Sequence, residues 1–195
     1  MGNIVFGGYG NLNLSAEGTS LLAVASKSGI APTWNCWSVK NPDWDTTRIL
    51  TLWWNSTFNL LYLLHHRMEV EGATMKWRKP ILEDAPVLDI RKLDLKTKSR
   101  LLALFDRLAV VDFPSIAEQY AKAPPERTEL DSEVGLALGI AKEELPSRLN
   151  DLYRLVSDEL TTLRSRMKAT SLAKSHGHAR RLANIGKPVD VGPVD

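Results

Sequence analysis

The chain has 195 residues, 44% of them hydrophobic and 25% charged, with a formal net charge of +2. This is the composition of a globular protein with a real core, and the chain as a whole is not a polycation. One cysteine, Cys36, excludes an internal disulfide and a cysteine-built zinc site, and a reducing, cytoplasmic setting fits.

No cationic segment precedes an apolar run at the start, so residues 1–10 do not read as a secretory signal. The longest apolar-rich stretch, 49–64, is broken by Asn55, Ser56, Thr57 and Asn59 and is too short and too polar for a membrane span. Phe6-Gly7-Gly8-Tyr9-Gly10 is glycine-rich. A cofactor loop needs a helix directly after it; Asn11-Leu12-Asn13-Leu14 does not read as a helix start, so a flexible turn is expected.

In chain order, 21–25 reads as a short buried strand and 34–39 as a second, with Pro32 between them. Asp43 or Asp45 supplies a cap for the element that follows. Ile49, Trp53, Leu60, Leu61 and Leu64 recur at helical spacing, which predicts one long core helix over 46–67. Gly72 sits in the next connection, 74–78 reads as a strand, and Pro80 starts a short helix over 81–85. Residues 86–89 are expected to be extended.

A second region is helical: 95–108 with Leu101, Leu102, Leu104, Phe105 and Leu108 on one face, then 114–120, then 126–138 closed by Gly139. Ala123-Pro124-Pro125 links the last two. A third region begins near Pro146 with an amphipathic helix over 148–167. Beyond it Arg164, Arg166, Lys168, Lys174, Arg180, Arg181 and Lys187 occur with no acid between Thr161 and Pro188. The expected organisation is an α+β domain over 1–92, a helical extension over 93–168, and a basic, disordered tail over 169–195. The expected fold class is α+β: a small mixed sheet packed by a long core helix, then helices and a flexible tail.

Enzyme constellations are missing. His65 and His66 are adjacent, so on a helix they point about 100° apart and do not chelate one metal from one face; they read as cations favoured near a helix C-terminus. His176 and His178 lie in the basic stretch with no cysteine or acid beside them. There is no nucleophile elbow and no Walker loop. Asn41-Pro42-Asp43-Trp44 approaches the Asn-Pro-Pro-aromatic tetrapeptide that grips a flipped adenine, but the second proline is absent and no S-adenosylmethionine loop lies upstream; a proline turn into a capped helix is the preferred reading. No catalytic or metal residue is assigned.

The segment from Trp53-Trp54-Asn55-Ser56-Thr57-Phe58 through Arg67, then Gly72-Ala73-Thr74-Met75-Lys76-Trp77-Arg78-Lys79-Pro80, then Ala85-Pro86-Val87-Leu88-Asp89, resembles the C-terminal region of class I adenine-N6 DNA methyltransferases. That group includes fused restriction–modification enzymes and methylases of phage defence. Leu130-Asp131-Ser132-Glu133-Val134 through Gly139 is similar to a later helix of the same family, and the resemblance spans roughly 21–140. It implies a DNA-recognition segment or subunit working with a separate catalytic domain, which would hold S-adenosylmethionine; this chain would hold no cofactor.

Residue chemistry is compatible with that role. Arg67, Lys76, Arg78 and Lys79 flank Trp77 and suit phosphate contacts. Asn55, Ser56 and Thr57 suit capping of buried backbone, a partner, or DNA. Arg164, Arg166, Lys168, Lys174, Arg180 and Arg181 suit either phosphates or a solvated tail. The rival readings are a helical protein-interaction module, a self-sufficient methyltransferase using Asn41 to Trp44, and a remnant without a DNA role.

Overall fold

The computed structural model describes residues 2–7, 9–11, 19–30, 36–40, 43–70 and 74–184; Trp34, Asn41, Pro42, Gly72 and 185–195 lie outside the described residues, as do the side chains of 167–184. The fold is α+β. Among the described residues six strands, β1 (Gly2–Gly7), β2 (Tyr9–Asn11), β3 (Ala23–Ile30), β4 (Cys36–Val39), β5 (Met68–Val70) and β6 (Thr74–Lys76), form two three-stranded sheets ordered β3-β1-β4 and β2-β6-β5. Every pairing is antiparallel, not mixed as the sequence suggested. The short link between β5 and β6 leaves no room for the crossover that a parallel pair requires. The glycine-rich start is strand on both sides of Gly8, with Ile4 fully buried, instead of a free turn.

The helices are α1 (Trp44–Asn55), α2 (Thr57–His65), α3 (Lys79–Glu83), α4 (Leu95–Leu108), α5 (Ile116–Lys122), α6 (Pro125–Ala137) and α7 (Leu145–Asn184), with a 3-10 turn at Ile90–Lys92. The expected single helix over 46–67 is two. Ser56 is extended, at φ −73° and ψ 157°, and serves both helices. Its hydroxyl donates to the Trp53 carbonyl at 2.7 Å and accepts from the Asn59 N–H at 3.4 Å. A serine that satisfies orphan groups on both sides competes with the continuous helix, and periodicity alone does not register this.

Two apolar cores hold these elements together. In the first, Ile4 and Ala23 of the sheet meet Ile49, Leu52, Trp53 and Trp54 of α1, Leu101 and Leu104 of α4, and Leu130 and Val134 of α6. In the second, Leu60, Leu63 and Leu64 of α2 meet Met75, Trp77, Ile116, Tyr120, and Val156, Leu160 and Leu163 of α7. Both cores draw on residues before and after position 92, so the two regions share their interior. Two buried indole N–H groups are satisfied: Trp53 donates to Pro86 O at 3.0 Å and Trp77 to Leu63 O at 2.8 Å.

The helix expected to end at 167 continues to Asn184. Ala169, Leu172, Ala173, Ala179, Leu182 and Ala183 favour helix, no proline occurs between Pro146 and Pro188, and Gly177 costs only about 1 kcal/mol. Basic composition alone suggests disorder, but helix propensity persists through this segment.

Candidate nucleic-acid interface

The residues proposed from sequence for DNA contact separate into three groups. Asn55, Ser56 and Thr57 belong to the interior. Asn55 Oδ1 accepts from the N–H groups of Leu22 and Ala23 at 2.8 and 3.1 Å, and its Nδ2 donates to the carbonyls of Ala23 and Thr51 at 2.8 and 3.0 Å. Its amide therefore ties the start of β3 to α1 and has no capacity left for a base. Ser56 and Thr57 are both fully buried. These three are corrected from DNA contacts to structural polar groups; a buried amide or hydroxyl must be satisfied by protein, and here it is.

Thr57 opens onto a network that sequence reading missed. Its N–H and hydroxyl donate to Asp131 Oδ1 and Oδ2 at 2.7 and 2.5 Å. Since that hydroxyl has a single proton, the Tyr120 hydroxyl, 2.6 Å away, donates to it. Tyr153 donates to Asp131 Oδ2 at 2.9 Å. Arg127, 2% exposed, bonds Gln119 Oε1 through Nε and Nη2 at 3.0 and 2.5 Å, and Asn55 O through Nη1 at 2.6 Å. Gln119 then donates to Ser20 O and Pro114 O at 2.8 and 2.6 Å. Burial raises the Tyr120 and Tyr153 phenols far above their usual range, so both remain donors. The i,i+4 spacing of Arg127 and Asp131 was the available signal; its partners on α2 and α5 were not legible.

Arg67 is also structural. It pairs with Glu159 of α7 at 2.6 Å and donates to Leu64 O, with its side chain only 13% exposed. It fastens the end of α2 to α7 and is corrected from a phosphate contact. Lys76 is half-buried. Arg78 and Lys79 do reach solvent; Lys79 forms an i,i+4 pair with Glu83 at 3.2 Å, and Arg78 Nε lies 2.9 Å from Met68 Sδ.

The third group lies on α7. Leu145, Leu149, Val156, Leu160 and Leu163 bury one face of this helix. Beyond Leu163 come Arg164, which is half-buried, Arg166, which is exposed, and then Lys168, Lys174, Arg180 and Arg181 along the same helix. The basic residues therefore continue a helix anchored in the second core. Taking the seven cations between Thr161 and Pro188 from the 25 in the chain leaves 18 to face all 23 acids. The remainder of the protein is net negative, and the positive charge is concentrated in one stretch, six of whose seven cations lie on α7.

Other candidate chemistry resolves into scaffolding. Asp43 caps α1, accepting from the N–H groups of Asp45 and Thr46 at 3.3 and 2.9 Å, and Trp44 packs edge-on to Phe105. His65 and His66 end α2, and their rings meet edge to face. A cavity of about 180 Å³ between β3, α1 and α4 is lined by Leu52, Phe105, Leu108 and Phe113, with the saturated Asn55 amide in its wall. Among the described residues no three His, Cys, Asp or Glu side chains gather as a metal site. No described helix is long and apolar enough to cross a membrane. No protein-family model, curated protein or solved structure matches the chain.

Proposed function

We propose that the chain is a DNA-binding recognition subunit or segment of an adenine-N6 DNA methyltransferase system, such as restriction–modification or phage defence. In this reading it acts in the cytoplasm with a separate catalytic domain or subunit that binds S-adenosylmethionine. The methyltransferase part rests on the ordered sequence resemblance across roughly 21–140. The DNA part rests on one observation: an acid-free run of cations carried on a long helix, attached to a body that is net negative. Phosphate neutralisation by lysine and arginine releases counterions and gives affinity without requiring a pocket. The acidic body opposes approach to phosphates, so the basic half of α7 makes the principal contact and Arg78 and Lys79 assist.

The test is fluorescence anisotropy of mixed-sequence duplex DNA over a salt series. Full-length chain is compared with a chain ending after Leu163 and with an Arg78→Ala/Lys79→Ala variant. Steeply salt-dependent binding, lost on truncation and weakened a few-fold in the double variant, supports the proposal. Absence of binding at low salt refutes the DNA role. Methylation restored when an adenine-N6 methyltransferase catalytic subunit is added tests the second half.

A further inference from the structure

We infer that the basic half of α7 enters the major groove of B-form DNA and covers about one helical turn, with the body held off the duplex except at the edge that carries Arg78 and Lys79. The inference rests on the DNA-binding reading above and specifies its mode. From Arg164 to Asn184 the helix is about 30 Å long at 1.5 Å per residue. That length matches nearly one turn of B-DNA, roughly nine base pairs at 3.4 Å each. An α-helix with its side chains is about 10–12 Å across, and the major groove is about 12 Å wide.

Competing polyanions fit less well. Single strands are held by stacking on aromatic rings, and 164–187 contains no Phe, Tyr or Trp. The deep, narrow major groove of A-form RNA does not admit side chains from a helix. Anionic membrane surfaces take helices with a broad apolar face bearing Trp, Phe or Leu; after Met167 this segment has Leu172 and Leu182 as its only large apolar residues before Ile185. Pairing with the same helix of a second copy would place cation against cation, with no acid in 161–188 to relieve it.

The geometry is directional. Leu163 is fully buried in the second core and Arg67 holds Glu159 one turn earlier, so the start of the basic half is fixed against the body. A net-negative body would be repelled by the phosphates. In this mode the helix keeps the two apart and carries the six cations Arg164, Arg166, Lys168, Lys174, Arg180 and Arg181 along its length to the duplex. Six phosphate contacts correspond to a salt slope near −5, or about a forty-fold loss of affinity when salt doubles.

The experiment is methylation interference with the full chain and a pool of duplexes of about 30 base pairs. Dimethyl sulfate marks guanine N7 in the major groove and adenine N3 in the minor groove. Interference confined to guanine N7 across a window of nine to ten base pairs is the expected result. Interference only at adenine N3, or none at either base while phosphate ethylation interferes, overturns major-groove entry but leaves the DNA-binding reading standing. A window of twenty base pairs or more shows that the body also lies on the duplex and overturns the stand-off arrangement. Tighter binding to single strands or A-form RNA overturns the choice of duplex DNA. No binding to any duplex at low salt overturns this inference together with the reading beneath it.

Discussion

Asp131 on α6 holds Thr57, 74 residues earlier at the start of α2, with both carboxylate oxygens, one on the backbone N–H and one on the hydroxyl. Both residues are fully buried, and Tyr153 of α7 donates to the same carboxylate. Asp131→Ala would strand three donors and weaken the compensation of buried Arg127, so a loss of about 3–5 kcal/mol is expected. Asp131→Asn keeps the volume but loses charge and one acceptor, and should fall between the two. Urea unfolding followed by tryptophan fluorescence distinguishes them. A loss below 1 kcal/mol for the alanine variant would show that water reaches these donors.

Asn55 yields a prediction that separates folding from DNA contact. Its amide makes four hydrogen bonds, three of them to the backbone of Leu22 and Ala23. Asn55→Ala is expected to cost about 2–4 kcal/mol, because the N–H groups of Leu22 and Ala23 lose their acceptor. Duplex affinity of the folded fraction should be unchanged. Anisotropy under strongly native conditions measures it, and a selective fall in affinity without loss of stability would return Asn55 to the DNA-contacting set.

Two glycines near the end of α6 constrain the chain for different reasons. Gly139 has φ +86° with open space around it, so Gly139→Ala introduces only backbone strain, about 1 kcal/mol. Gly135 is helical, but a Cβ there would sit 2.6 Å from Leu145 Cδ2 and 3.4 Å from Phe58 Cζ. Leu145 is itself buried, so the gain in helix propensity is offset by displacement of α7, and Gly135→Val should exceed the cost of Gly139→Ala. Thermal melts of the two variants decide the order. A Gly135→Val that melts no lower than wild type would show that α7 slides without cost.

These positions show what was legible in the sequence. The α4 bounds, the Gly139 stop and the Pro80 start follow from local rules of spacing, caps and fixed φ, which need only neighbouring residues. The break at Ser56 was hidden because both helices share one apolar period across it, and only a side chain turned back on the backbone reveals the interruption. Arg67 resembles a phosphate contact in sequence because its partner, Glu159, lies 92 residues away. Asn55, Ser56 and Thr57 were ambiguous for the same reason: a polar residue on an apolar helix signals a partner without saying whether that partner is protein or DNA. The basic half of α7 was legible as charge but not as helix, since a high cation count resembles disorder until propensity is weighed residue by residue.

Acid sensitivity should arise at helix starts. Hydrogen bonds from the backbone N–H and side chain of Thr97 lower the Asp94 pKa below its ordinary 3.8, and Thr46 does the same for Asp43. A carboxylate whose folded pKa is depressed binds fewer protons in the folded than in the unfolded chain. Its contribution is therefore complete above the unfolded value and is lost as pH falls through the folded one. Asp94→Asn keeps an acceptor at the cap and removes the titration, so the variant should show a shallower fall in stability below pH 3.8 than wild type. Urea midpoints taken across the acid range measure this, and parallel curves would locate the acid sensitivity elsewhere.

The clamp between Arg67 and Glu159 should matter for folding and for the exit of α7, and not as a charge seen by DNA. Glu159 is 41% exposed on its side chain, so solvent screens the pair and its coupling should be about 1 kcal/mol or less in a double-mutant cycle of Arg67→Ala and Glu159→Gln. Arg67→Ala alone should cost more than that coupling, because Arg67 also donates to the otherwise orphan Leu64 carbonyl near the end of α2. A cation that contacts phosphate contributes close to one unit to the salt slope of duplex binding. Arg67→Ala should therefore leave that slope unchanged, whereas replacing Arg166, exposed at the start of the basic segment, should reduce it by nearly one. A slope that drops equally for both would place Arg67 at the duplex and require the body to lie against it.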